Sequence, residues 1–203
     1  MPRPRAHRKW RWWEPADGFL NLPKDVLSVI KADIRPDLEA VDGAAAMDDK
    51  RGYRRGVGIM LLDARGKVFV GARIDNTDEA WQMPQGGIDP GEDDSWLAGL
   101  RELEEETGIK PQLVERIEDQ PQRMTYDLPE ELRDKLWCGR FKRHDQDWYI
   151  ARFLGSDGDI NIRTKDPEFR EWKWVDPPQL VELIVPFKRE LYRHLLAKFE
   201  ANL

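Results

Sequence analysis

The sequence predicts an α/β fold, a mixed sheet covered by helices, and three observations carry that expectation. Apolar runs of strand length stand before, between and after helical segments, so both element types must share one core. At Tyr53 an irregular leader gives way to compact apolar runs. The 203 residues are 40% hydrophobic and 35% charged, a balance that suits one globular core with an extension. The expected boundaries are residues 1–52 for the extension and 53–203 for the domain.

The extension begins with Arg3, Arg5, Arg8, Lys9 and Arg11 interleaved with Trp10, Trp12 and Trp13. Basic residues beside aromatics can grip phosphates and stack on bases, although a solvated tail is the commoner use of such a composition. Val26, Val29 and Ile30 recur at helical spacing after Pro23, which predicts a short helix from Leu22 to Ile34, stopped by Pro36. Residues 41–50 read as a linker.

In the domain, Val57 to Leu62 and Lys67 to Gly71 flank the turn Asp63-Ala-Arg-Gly66, a hairpin. Trp81 to Pro84 is a short extended piece, and Gly86-Gly87 with Pro90-Gly91 reads as loop. Residues 95–107 form a helix ending at Gly108, a good C-cap. Leu113 to Glu118, Trp148 to Leu154 and Glu171 to Val175 are strands. Pro186 opens a last helix to about Ala201, with Phe187, Leu191, Leu195 and Phe199 along one face.

Composition excludes several classes of function. No apolar run approaches the roughly 20 residues that span a bilayer, and the start lacks the apolar stretch of a secretory signal. A net charge of −6 argues against a protein that simply coats nucleic acid. The single cysteine, Cys138, allows no internal disulfide. The expectation is a cytoplasmic protein with no membrane partner.

The chemistry gathers in Gly86 to Ile109, GGIDPGEDDSWLAGLRELEEETGI. On a helix, Glu102, Glu105 and Glu106 share one face, while Leu97, Leu100, Leu103 and Thr107 fall on another that can pack on the sheet. Crowded carboxylates repel, and a hard divalent cation such as Mg²⁺ or Mn²⁺ resolves the repulsion while bridging to phosphates. Taken alone, such a cluster is more often a solvated face. The glycine-rich loop feeding the helix, with Glu92 upstream and Arg101 beside Glu102, shifts the reading toward a site, since glycine permits close approach to a ligand. His144 and His194 have no second ligand at useful spacing and are assigned to no metal.

These residues resemble the Nudix box: Gly, five residues, Glu, seven residues, Arg-Glu, an apolar residue, any residue, Glu-Glu, any residue, Gly, apolar. Gly86 precedes Glu92 at that spacing, and Arg101 to Ile109 matches the second half throughout. One departure stands out: eight residues, not seven, separate Glu92 from Arg101. Either the loop holds a one-residue insertion or Asp93 replaces the glutamate. The match of Asp89-Pro-Gly-Glu92 favours the insertion. Trp81 to Asp89, Tyr53-Arg54 before Val57-Gly58-Ile59, Tyr126 to Pro129, Gln146 to Trp148, Pro167 to Phe169, Trp172 to Val175 and Val185 to Arg189 extend the likeness. They resemble the subgroup holding bacterial RNA 5′-pyrophosphohydrolases and diadenosine polyphosphate hydrolases. That subgroup usually has Pro-Asn where this chain has Arg55-Gly56.

The resemblance implies a Nudix α/β/α sandwich with a mixed sheet, and water attacking phosphorus. It implies divalent ions, Mg²⁺ first and Mn²⁺ as an alternative, held by Glu102, Glu105, Glu106 and Glu168. One of Glu105, Glu106 or Glu168 would take the water's proton, with Arg101 orienting the cluster. Arg54 and Arg73 would meet the polyphosphate, with Gln85, Gly86 and Gly87 lining its approach. Tyr126, Gln146 and Lys188 would lie near the nucleotide, although Tyr126 read from the residues alone also suits the core. The leading expectation is an RNA 5′-pyrophosphohydrolase acting on the 5′ end of RNA. The alternatives are a diadenosine tetraphosphate hydrolase and, from another class, a catalytically silent module that senses a nucleotide.

Overall fold

The computed structural model describes residues 53–74, 80–127 and 143–203. The expected helix at 22–34, the linker, the basic Trp-rich start and Cys138 lie outside the described residues.

Among the described residues, eight strands form one mixed sheet. Strand β1 (Tyr53–Leu62) is its axis and runs parallel to β7 (Arg143–Phe153) in unbroken register from Tyr53↔Arg143 to Leu62↔Arg152. Strand β2 (Val68–Arg73) follows β1 through the expected hairpin. There the Asp63 carboxylate accepts the Arg65 and Lys67 amides at 2.8 and 2.9 Å, and Gly66 takes a φ of 75° that a side chain would resist. Strands β3 (Trp81–Gln82) and β8 (Phe169–Val175) pair with β2, while β5 (Val114–Arg116) and β6 (Gln122–Asp127) pair with β7.

The sequence expectation that Gly86-Gly87 is loop is corrected: Gln85–Gly87 is strand β4, antiparallel to β1 through Gly58↔Gln85, Val57↔Gly86 and Gly56↔Gly87. Glycines carry no side-chain periodicity, so the strand was invisible, and they stand here because other groups press close. Strand β6 was also not foreseen.

Helix α1 (Ser95–Thr107) covers one face of the sheet. Its Asp94 N-cap accepts the Trp96 amide, and Gly108 ends it at a φ of 70° with its N–H on the Glu104 carbonyl, as expected of a C-cap. Leu103 and Ile109 pack with Ile59, Leu61, Phe69, Ala151 and Phe153. The short helix α2 (Leu180–Leu183) and helix α3 (Arg189–Lys198) cover the opposite face. Leu180, Leu191, Tyr192, Leu195 and Phe199 there meet Met60, Val70, Trp148 and Ile150. The result is the expected three-layer sandwich. Pro186 begins a 3-10 turn that leads into α3 rather than the α-helix itself.

One expectation about α1 fails. Leu97 is 60% exposed instead of packing on the sheet. Ala98, Gly99, Glu102, Leu103, Glu106 and Thr107 are buried instead. A Cβ on Gly99 would sit 3.1 Å from Val57 Cγ2, so its absence lets the helix lie close and rotates two glutamates inward.

Candidate functional site

The three carboxylates expected on one face of the helix differ in burial. Glu102 and Glu106 are buried at 5% and 2% exposure, whereas the Glu105 side chain is 48% exposed. Glu102 lies directly over Gly86, where any Cβ would fall 2.1 Å from its carboxyl carbon. Gly86 thus makes room for a carboxylate against the sheet. One residue earlier, the Gln85 amide donates to Glu106 Oε2 at 3.1 Å. Pairing of β4 with β1 therefore sets the height of both acids.

Arg101 binds the loop to the helix. Its Nε donates to Glu92 Oε1 at 2.8 Å and its Nη2 to Glu92 Oε2 at 2.7 Å. Nη2 also donates to the Gly87 carbonyl at 3.0 Å, and Nη1 to Glu102 Oε1 at 2.8 Å. Glu105 Oε1 stands 3.5 Å from Nη1. The Glu92 hydrogen bond holds the guanidinium's pKa above even its ordinary range, against the cost of desolvation.

From the far side come Arg73, at the end of β2, and Glu168, just before β8. Arg73 Nη1 donates to Glu168 Oε2 at 3.0 Å, and the Ile74 amide donates to the Glu168 carbonyl at 2.8 Å. Arg170 Nη1 holds the Arg73 carbonyl at 2.7 Å. Burial pushes the Glu106 carboxyl well above the ordinary carboxylate range. The charges of Glu168 and Glu102 push it the same way, while Arg73 and the Gln85 amide oppose them. Three stretches far apart in sequence, at Arg73, Glu102–Glu106 and Glu168, thus share one electrostatic environment.

Would these groups suit a divalent ion? Among the described residues, no three Asp, Glu, His or Cys side chains converge into a closed cage. Glu102 and Glu168 turn toward arginines instead. Yet Glu106 Oε1 is fully buried with no hydrogen-bond partner among the described residues, and two further carboxylates press on it. An oxygen-only donor set around a buried carboxylate oxygen that lacks a partner fits a hard cation.

The other expected residues line the opposite side of β1. Strand alternation puts Arg54, Gly56 and Gly58 on one face, and His144, Gln146 and Trp148 on the same face of β7. A Cβ on Gly58 would strike the Trp148 ring at 2.6 Å, and one on Gly56 would lie 3.2 Å from Gln146 Cγ. A Cβ on Gly87 would meet Arg54 Nη2 at 2.9 Å. Two large side chains therefore lie across a glycine floor, with the Arg54 guanidinium beside them. The Oε1 atoms of Gln85 and Gln146 are buried without hydrogen-bond partners among the described residues, a mark of polar interior that receives water or ligand. Tyr126 on β6 faces His144, and Lys188, 1% exposed, puts Nζ 5.8 Å from the Tyr126 ring centroid. Gly87 and Gly56 are paired across β4 and β1, so this group of buried polar side chains adjoins the carboxylates.

Three contributors were missed from sequence: Glu92 as a definite partner of Arg101, His144 behind Tyr126, and Tyr192, whose hydroxyl accepts the Met83 amide at 3.1 Å. Burial and charge from Glu106 raise the Tyr192 phenol's pKa. Only the first left a signal, in the loop spacing. Trp172 and Trp174 behave as the packing residues expected, stacked on Phe69 and Phe153.

Among the described residues no helix is long and apolar enough to cross a membrane. Residues 52–195 match the NUDIX domain family. The chain is similar to the RNA pyrophosphohydrolase of Roseobacter denitrificans, 52% identical over 151 residues, 74% of this chain and 94% of that protein. It is similar to the RNA pyrophosphohydrolase of Rhodospirillum rubrum, 54% identical over 146 residues, 72% of this chain and 86% of that one. Its fold is shared with the Escherichia coli dihydroneopterin triphosphate pyrophosphohydrolase at a TM-score of 0.55, 19% identity, 73% of this chain and 99% of that. A Caenorhabditis elegans Ap4A hydrolase binary complex matches at a TM-score of 0.53, 20% identity and the same coverages. With its fold, its box and its relatives in agreement, the chain belongs to the Nudix hydrolase family.

Proposed function

We propose that the protein is an RNA 5′-pyrophosphohydrolase, removing pyrophosphate from triphosphorylated transcripts and leaving a 5′-monophosphate. The observation that carries the reading is identity of about one half to proteins of that name, over nearly their whole length. The buried polar side chains beside the carboxylates support it, since a terminal nucleotide held by the one set would bring its phosphates to the other.

In this reading Glu102, Glu105, Glu106 and Glu168 hold Mg²⁺, or Mn²⁺ in its place. Bound ions would lower the pKa of the attacking water and screen the phosphate charge. Arg101 keeps Glu102 and Glu105 oriented through its bonds. One of Glu105, Glu106 or Glu168 takes the water's proton. Arg73 and Arg54 bear on the polyphosphate, where a planar guanidinium suits bidentate contact. Gln85, Gly86 and Gly87 line its approach, with Gly86 and Gly87 keeping the strand slim beside it. Tyr126, Gln146 and Lys188 receive the nucleotide. Residues 1–52 act as an extension whose basic start meets phosphates beyond the first nucleotide, and the enzyme works in the cytoplasm.

The test is product analysis with Mg²⁺, offering triphosphorylated RNA and diadenosine tetraphosphate in parallel at equal concentrations. Much faster pyrophosphate release from RNA supports the proposal. Preference for the dinucleotide moves the substrate, and turnover of neither with nucleotide still bound points to a silent sensing module.

A further inference from the structure

We infer that His144 is a positioning residue for nucleotide binding, holding the Tyr126 ring as a fixed wall of the pocket beside the glycine floor. The inference rests on the reading of that pocket as the nucleotide's seat.

His144 and Tyr126 stand directly opposite each other on β7 and β6. The Tyr126 hydroxyl lies 3.0 Å from His144 Nδ1, and the two rings are 5.3 Å apart with a tilt of 55°. The histidine is 1% exposed, whereas Tyr126 is only partly buried. One member of the pair is therefore set in the interior while the other keeps part of its surface accessible. Lys188 lies over the same ring, and Gln146 follows His144 on the same face of β7.

The Tyr126 ring packs against the core that holds Trp148 and Tyr192, and the contact with His144 adds a hold on its hydroxyl end. That bond ties the far end of the ring to a side chain set in the interior. A ring already in place stacks on a base without losing freedom when the ligand arrives. The cluster of acids lies on the other side of β4, so this pair acts on affinity and leaves the chemical step alone.

The test uses the full chain and two readouts. Kd is measured calorimetrically for a methylene-bridged, non-hydrolysable 5′-triphosphorylated dinucleotide in Mg²⁺, and KM and kcat are measured on triphosphorylated RNA. His144→Leu should raise Kd and KM about fivefold to tenfold with kcat within about twofold, in line with the loss of one stacking wall. His144→Asn, which keeps a polar atom near the Nδ1 position, should recover most of that loss. Tyr126→Phe should match His144→Leu, and the double variant should be no weaker than either single one. Unchanged Kd in His144→Leu, losses that add in the double variant, or a fall in kcat alone would overturn the inference. If His144→Leu does not fold, Tyr126→Phe decides: unchanged affinity overturns it. A wild type that binds the analogue but cleaves no RNA counts against the proposed function and leaves the His144 comparison standing. A wild type that does not bind the analogue overturns both.

Discussion

Glu92 and Arg101 form a two-bond pair, at 2.8 and 2.7 Å, although one more residue separates them than the family's box allows. The loop absorbs the extra residue before the helix begins. The Asp89 amide closes on Glu92 Oε2 at 2.7 Å, and Asp94 caps α1. Glu92 therefore fills the glutamate position of the box, and Asp93 stays outside the pair. Glu92→Ala should lower unfolding free energy by about 1–3 kcal/mol, the usual cost of a hydrogen bond to a charged group. It should also cut kcat about tenfold or more, since Arg101 orients Glu102. Asp93→Ala should change stability by less than about 0.5 kcal/mol. Urea denaturation and steady-state rates on both variants check this.

Gly86→Ala should disable the site while disturbing little else. The new methyl group would occupy the place of the Glu102 carboxyl, so that side chain must swing out of its buried position. Activity should fall about a hundredfold or more. Near-wild-type turnover would show that Glu102 need not sit over β4.

The Glu106 carboxyl makes stability depend on pH in a definite direction. Its pKa in the folded chain is raised by burial first, then by Glu168 and Glu102. A raised pKa means the folded state binds the proton more tightly than the unfolded one. Stability in chelator should then fall as pH rises from the ordinary glutamate range toward the folded pKa. Glu106→Gln keeps an oxygen for the Gln85 amide and removes the charge. It should melt higher than wild type in EDTA at neutral pH, with the gap closing near pH 4. Added Mg²⁺ should raise the wild-type Tm and move the variant much less.

Tyr192→Phe leaves the Met83 amide without its buried acceptor. The expected cost is about 1–3 kcal/mol of stability. A fall in kcat should accompany it, because Met83 leads into the strand that supports Glu106. Loss of stability with full activity would mean that β4 holds its register without Tyr192.

The helical spacing of residues 95–107 and the glycine after them fixed α1 in advance, since both signals are local. The apolar runs from Val57 to Leu62 and from Trp148 to Leu154 marked β1 and the second half of β7, while the polar stretch from Arg143 to Asp147 hid the first half of β7. Strand β4 went unmarked, because Gln-Gly-Gly carries no pattern, and its reason for being a strand lies in Glu102 and Arg54, distant in sequence. The rotation that buries Glu102 and Glu106 while exposing Leu97 depends on Gly99 meeting Val57 and Ile59. Periodicity alone assigned the leucines to the core. His144 offered no local signal, since its significance comes from a partner on a neighbouring strand.

The most direct test of the account is Glu105→Gln, assayed for pyrophosphate release from triphosphorylated RNA and for thermal unfolding. The Glu105 side chain is half-exposed, so its charge can be removed without opening the core. The account predicts an unchanged Tm and a rate lower by about three orders of magnitude or more, as expected when a group at the reacting centre is lost. Near-wild-type release from a folded variant would contradict it, and the carboxylate cluster would then not be where the reaction occurs.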